Sequence, residues 1–253
     1  MVYILILFIL FLIIFYILNI FLQNSENYSE YHKIYDNTII FLTSTVNVNK
    51  KKSFIYQIDK NERLDTYLKS VLQWLQKTNF KIVLIENSGY KFDELNNEKE
   101  LYKDRFEVIT FNEYDYSKNL INNSSKGASE IFAINYAFKN SKLIKKYDIN
   151  FIIKITARYF IYELEDYLYS YDLNKYDCLT QNNRNRCEMV GSHINNFNDI
   201  FNPILLDENN NYDGHIENIW KYRTMKYDKV LECKQFKIEP TQRGGLNKIY
   251  IDI

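Results

Sequence analysis

The sequence predicts an α/β fold: one domain built on a mostly parallel sheet with helices on its faces. Apolar runs of strand length alternate along the chain with segments of helical periodicity, the order that parallel βαβ units require. The run 150–160, N-F-I-I-K-I-T-A-R-Y-F, sets bulky, largely β-branched residues side by side, as in a strand covered on both faces. The carboxyl-terminal half alternates less regularly, so the sheet reads as mostly rather than wholly parallel.

The elements follow in order. Residues 38–43 (T-I-I-F-L-T) form a first buried strand, and 44–52 a polar loop. Across 59–77, Leu64, Tyr67, Leu68, Val71, Leu72 and Leu75 recur at helical spacing and give an amphipathic helix. Strands at 80–85 and 106–111 are separated by the turn Glu86-Asn87-Ser88-Gly89-Tyr90. A helix over 125–138 opens on small and polar residues and carries Ile131, Ile134 and Ala137 on one face, and a short helix or turn covers 141–146. After the central strand come a helix at 162–171, two strands at 176–180 and 187–192 joined by a polar turn at 182–186, helices at 195–201 and 212–227, and a last strand at 234–239.

Composition narrows the class. Lys plus Arg and Asp plus Glu balance at 32 each in 253 residues, so no overall field draws nucleic acid. Asn, Ile, Lys, Tyr and Phe are abundant while Gly and Pro are scarce, which reads as the codon bias of an AT-rich genome. Residues 2–22 hold no charge and are nearly all Ile, Leu, Phe or Tyr, a length that spans a bilayer as a helix. No basic n-region or small-residue cleavage site accompanies them, so the expectation is a single-pass anchor (1–22), a polar stem (23–36) and a catalytic domain (37–253). Membrane orientation stays open, and Asn27, Asn122 and Asn123 stand in glycosylation sequons should the domain be lumenal. Cys178 and Cys187 could bridge a hairpin and leave Cys233; the three cysteines and His32, His193 and His215 match no metal spacing.

In open α/β sheets ligands bind beyond the carboxyl ends of the strands. Four segments belong there. Arg63 lies in a helix opening after the first strand and reads either as a nucleotide contact or as an ordinary charged turn. Glu86 and Asn87 end a strand and offer polar groups to a ribose or base, or simply shape a turn. Ser125-Lys126-Gly127 starts a helix with small residues and a cation, an anion site in kind, with a capping box around Glu130 as the alternative. Lys154, Thr156 and Arg158 end the central strand; two cations and a hydroxyl suit a phosphate or diphosphate. The alternative is a snorkelling lysine and an arginine paired with Glu163 or Glu165.

Taken together and in order, D-x-x-x-R-L-x-x-Y (Asp59, Arg63, Leu64, Tyr67), I-E-N-S-G-Y (through Glu86 to Tyr90), S-K-G-x-S-E (Ser125 to Glu130) and K-I-T-x-R-Y (Lys154 to Tyr159) resemble a poorly characterised group of glycosyltransferase-like proteins of viruses and microbes. The resemblance spans about residues 38–240. It implies a GT-A-like, Rossmann-like fold behind one transmembrane helix, a nucleotide-sugar donor and a glycan or glycoprotein acceptor. This chain departs from the pattern at Ala157, where Gly is expected. It departs again where GT-A enzymes carry Asp-x-Asp to hold a divalent metal: Thr156-Ala157-Arg158 stands there instead. No metal is therefore expected, and Lys154 with Arg158 would supply the compensating charge.

For an acceptor base the candidates are Asp213, His215 and Glu217 at a predicted helix start, with Glu217 favoured. His215 and Glu217, two apart, do not share a helix face; Asp213 could equally be a cap. The turn Arg243-Gly244-Gly245 reads as a surface turn or as a loop closing over the diphosphate. The leading reading is a membrane-anchored, metal-independent glycosyltransferase; the alternative is a non-catalytic glycan- or protein-binding module on the same fold.

Overall fold

The computed structural model describes residues 11–19, 37–181 and 188–253. Strand β1 (Thr38–Ser44) is buried along its whole length, as are β2 (Lys81–Glu86) and, but for its last residue, β4 (Phe151–Thr156). Such strands form where helices cover both faces of a parallel sheet. With β3 (Phe106–Thr110), β5 (Cys178–Gln181), β6 (Met189–His193) and β7 (Val230–Cys233) they build a seven-stranded sheet of order β3-β2-β1-β4-β6-β5-β7. Only β6 runs against the rest, pairing antiparallel with both β4 and β5. The pairs β1–β2, β1–β4, β2–β3 and β5–β7 are parallel.

Alternation along the strands fills two cores. On one face Ile40, Leu42, Ile153 and Ile155 meet helix α1 (Lys60–Lys77) through Tyr67, Val71, Trp74 and Leu75. The hairpin β8 (Lys237–Gln242) and β9 (Ile249–Asp252) also lies on this side, with Ile238 buried in the same cluster. On the other face Ile39, Phe41 and Ile152 pack with α2 (Lys126–Asn140) and α3 (Ile216–Thr224) through Ile131, Ile134, Ile219 and Trp220. Helix α1 begins where Asp59 accepts hydrogen bonds from the amides of Asn61 and Glu62, one residue into the predicted span.

The differences from expectation are at the margins. The helix predicted over 162–171 is only Leu164–Leu168, and that over 212–227 is Ile216–Thr224, because residues ahead of His215 are used in turns. The 195–201 segment is a 3₁₀ turn (Ile194–Asn196) followed by Phe197–Ile200. The last strand is displaced to Lys237–Gln242, and β7 and β9 are additional. Both are four-residue strands, too short for a two-residue period to stand out in the sequence.

Among the described residues no helix is long and apolar enough to cross a membrane. Residues 11–19 of the expected anchor are helical with their apolar side chains exposed. The remainder of that run, apart from residues 11–19, lies outside the described residues, as do the stem 23–36, Asn27, His32, the turn 182–186 and Cys187. Cys178 and Cys233 are both buried in the sheet, and burial pushes the Cys233 thiol up to about 12.

The order 3-2-1-4 places the reversal of strand order in the sheet between β1 and β4, which run parallel. A crevice therefore opens at their carboxyl ends, beside Thr45 and Thr156.

Candidate functional site

A cleft of about 550 Å³ occupies this switch point. Its walls come from the ends of β1 and β4, the amino-terminal ends of α2 and α3, the loop after β1 and the turn between β8 and β9.

Of the residues expected at the site, Arg63, Asn87, Lys126, Gly127, Thr156, Arg158, His215 and Glu217 line the cleft; Glu86, Lys154 and Asp213 do not. Arg158 leaves β4 between the rings of Tyr67 and Tyr159, its Cζ 6.0 and 5.7 Å from their centroids. Burial works against its charge, yet the phenols of Tyr67 and Tyr159 and the Glu130 carboxylate outweigh this and hold its pKa above the usual arginine value. Its Nε is buried and meets no acceptor, a donor left for a bound group. Glu163 and Glu165, the partners considered from sequence, are engaged elsewhere: Glu163 binds Lys234 at 2.5 Å and Glu165 accepts from the Asn79 amide at 2.7 Å.

Lys126 stands at the cleft mouth and donates to the Phe54 carbonyl at 2.7 Å. Partial desolvation, with the charges of Arg158 and Arg243, lowers its pKa, while Glu217 and Glu130 act the other way. Lys126, Arg158 and Arg243 thus share one field, which the Glu217 and Glu130 carboxylates offset only in part at Lys126.

The carboxyl-terminal turn seals two of these cations in place. A Cβ built on Gly244 would sit 2.8 Å from Arg158 Cζ, and one on Gly245 would sit 2.7 Å from Lys126 Nζ. The turn thus packs directly against the heads of Arg158 and Lys126. Because the Arg158 head is the far end of a flexible side chain, Gly244→Ala should fold normally yet push that head aside. We expect a melting temperature within a few degrees of the parent and about tenfold weaker binding of nucleotide diphosphates, both measured on the same purified variant.

Gly127 behaves differently. Its added Cβ would stand 2.6 Å from Ile216 Cβ and 3.3 Å from the Ile216 amide, so its bareness serves the close approach of α2 to α3 rather than that of a ligand. Backbone cannot yield as a side chain does, and Gly127→Ala should cost about 1–3 kcal/mol in urea unfolding.

Lys154 is wholly buried and its Nζ lies 2.7 Å from Glu130 Oε1. Thr43 Oγ1 donates to the same oxygen at 2.8 Å. Glu130 lines the cleft, so Lys154 acts on the site through it. Glu86 is likewise spent on the scaffold: it accepts from the amides of Val46, Ser88 and Tyr90 at 2.8–2.9 Å and from Ser88 Oγ at 2.5 Å, tying the loop after β1 to the turn after β2. Burial raises its pKa, and those hydrogen bonds oppose the rise. Arg63 fastens the same loop, donating to the carbonyls of Thr45 (2.7 Å) and Gln57 (3.0 Å) and to Tyr67 Oη (2.7 Å), and burial lowers its pKa.

Asn87 presents itself in a buried polar chain. Thr45 Oγ1 donates to its Oδ1 at 2.6 Å, and its Nδ2 donates to Glu113 Oε2 at 2.6 Å. Glu113 also accepts from Ser129 Oγ at 2.7 Å and faces Lys52 at 3.9 Å. Asp213 folds back as a local cap, accepting from the His215 amide at 2.7 Å and Asn218 Nδ2 at 2.8 Å. His215 precedes α3, exposed, with its ring 6.2 Å from that of Phe54. Glu217 occupies the first turn of α3, half-buried on the cleft side.

Lys52, Glu113, Glu130 and Glu188 line the cleft without having been singled out as ligand contacts. Glu130 had a signal, since it follows Lys126 by four residues and so shares its helix face. Lys52, Glu113 and Glu188 had none; each sits in or beside a turn in a lysine- and asparagine-rich context. Among the described residues no three His, Cys, Asp or Glu side chains gather as metal ligands. Beyond the central strand, where an acid pair was sought, Thr156 and the Arg158 guanidinium line the cleft.

No protein-family model matches the chain, and no curated protein matches it in sequence. Among solved structures it is similar to a candidate nucleotide-diphospho-sugar transferase from Desulfovibrio desulfuricans G20, at 14% identity and a TM-score of 0.44, over 78% of this chain and 79% of that one. It is similar also to the glycosyltransferase GlyE of Streptococcus pneumoniae TIGR4, at 10% identity and a TM-score of 0.45, over 78% of this chain and 45% of GlyE. At such identities and scores a likeness carries no functional argument. That argument rests on the side chains of the cleft.

Proposed function

We propose that this chain is a glycosyltransferase that moves a sugar from a nucleotide-diphosphate donor to a glycan acceptor. The observation that carries this reading is the cation cluster Lys126, Arg158 and Arg243 at the switch point of the sheet, with carboxylates across the same cleft. A diphosphate is an anion that such a cluster suits: Arg158 offers a planar fork and Lys126 a point charge. In this reading the three cations stabilise the charge that grows on the departing diphosphate. Glu217, in the first turn of α3, takes the proton of the acceptor hydroxyl as the new glycosidic bond forms. Thr156 and Asn87 face the donor from the strand ends, and the Arg243-Gly244-Gly245 turn closes over it. No step passes through a metal ion. The uncharged run 2–22 tethers the domain to a bilayer.

The test is a thermal-stability screen of the full chain against nucleoside diphosphates and nucleotide sugars, with and without manganese. A ligand that binds the folded form alone raises the melting temperature. A metal-independent rise with one nucleotide supports the donor site. A rise that requires manganese overturns its metal independence, and no rise with any nucleotide overturns the donor site itself. Binding of nucleotide sugar without turnover or transfer would identify a binding module instead of an enzyme.

A further inference from the structure

One wall of the cleft mouth is a segment, 53–58, that runs beside the 243–246 turn; the amides of Tyr56 and Gln57 donate to the Gly244 carbonyl at 2.9 and 3.3 Å. Its alternate residues Phe54, Tyr56 and Ile58 are 65%, 48% and 56% exposed, and neighbouring Leu246 is 47% exposed. Phe54 adopts a left-handed φ of 54°, rare for so bulky a residue, while its carbonyl holds Lys126. Phe54 and Leu246 line the cleft, and Tyr56 and Ile58 stand exposed on the same segment as Phe54, so large apolar side chains lie uncovered beside a polar cleft. Lys50 and Lys51 stand exposed just ahead of it. Asp59, at its far end, is occupied in capping α1.

Aromatic and aliphatic side chains fringed by lysine are the composition of a surface that sits at a bilayer interface. The chain itself supplies the reason to choose a bilayer over a protein partner. The uncharged run 2–22 is long enough to enter one, and the 15 residues from there to Asn37 reach at most about 50 Å, so the patch is held at high effective concentration beside the lipid.

We infer that the cleft mouth docks on an anionic lipid surface, with Phe54, Tyr56, Ile58 and Leu246 in the interface and Lys50 and Lys51 among the headgroups. Resting on the transferase reading above, this names the acceptor class: a lipid-borne glycan whose hydroxyl is presented at the membrane surface.

The full chain is reconstituted into phosphatidylcholine vesicles, with or without about three-tenths phosphatidylglycerol, and amide hydrogen exchange is followed. Exchange in 53–58 and 244–246 should slow about threefold or more in the anionic vesicles, and about 0.5 M salt should reverse the slowing. The double variant Tyr56→Ser with Ile58→Ser should lose the slowing while keeping its nucleotide-induced thermal shift. Equal exchange in the two lipids, or slowing confined to another surface, overturns the docking. Because exchange needs no turnover, docking can fail while the donor site stands, and the donor site can fail while docking stands.

Discussion

Arg158→Ala should weaken nucleotide-diphosphate binding about 100-fold, close to 3 kcal/mol, when read by titration calorimetry. The side chain contributes a fork of donors, one of which meets no acceptor within the protein, and a charge shared with Lys126 and Arg243. Arg158→Lys keeps the charge and loses the fork, so it should recover only part of the affinity. The unliganded variant should melt no lower than the parent by more than a few degrees, since the substitution also relieves repulsion among like charges. The ammonium of Lys126, now held down in part by Arg158, should titrate at higher pH in the variant. Unchanged affinity for every nucleotide would remove Arg158 from the donor site.

The second large effect concerns stability. Glu130→Ala strips the wholly buried Lys154 of its carboxylate at 2.7 Å and should cost about 3–5 kcal/mol in denaturant unfolding, because a buried ammonium then lacks its counter-charge. Lys154→Met removes the charge with the same volume and leaves a carboxylate that reaches the cleft, so its cost should be about 1 kcal/mol or less. The double variant should regain most of the loss suffered by Glu130→Ala. Equal losses from the two single variants would mean that burial of the Lys154 charge is not what ties the pair together.

These pairs show how much was legible beforehand. The strands β1, β2 and β4 and the helices α1 and α2 were readable because burial on two faces and on one face leaves distinct periods of apolar residues. Eight of the eleven nominated site residues line one cleft, since strand ends and helix starts must lie on the same edge of a parallel sheet. Glu86, at a strand end, and Asp213, ahead of a helix, turn their carboxylates to nearby amides instead. Nothing in a strand-end acid distinguishes a ligand contact from a loop suture.

The sequence by itself determined the order of elements, the buried character of the sheet and the edge at which polar residues gather, because each depends on periodicity along the chain. Only the tertiary structure decided that Lys154 is bound to Glu130 while Arg158 is not bound to Glu163 or Glu165. It alone brought Gly244 and Gly245, 86 and more residues further on, against Arg158 and Lys126. A local pattern says whether a residue is covered. Which charge meets which is fixed by contacts between segments far apart in the chain, and a charge in low dielectric takes its role from that partner.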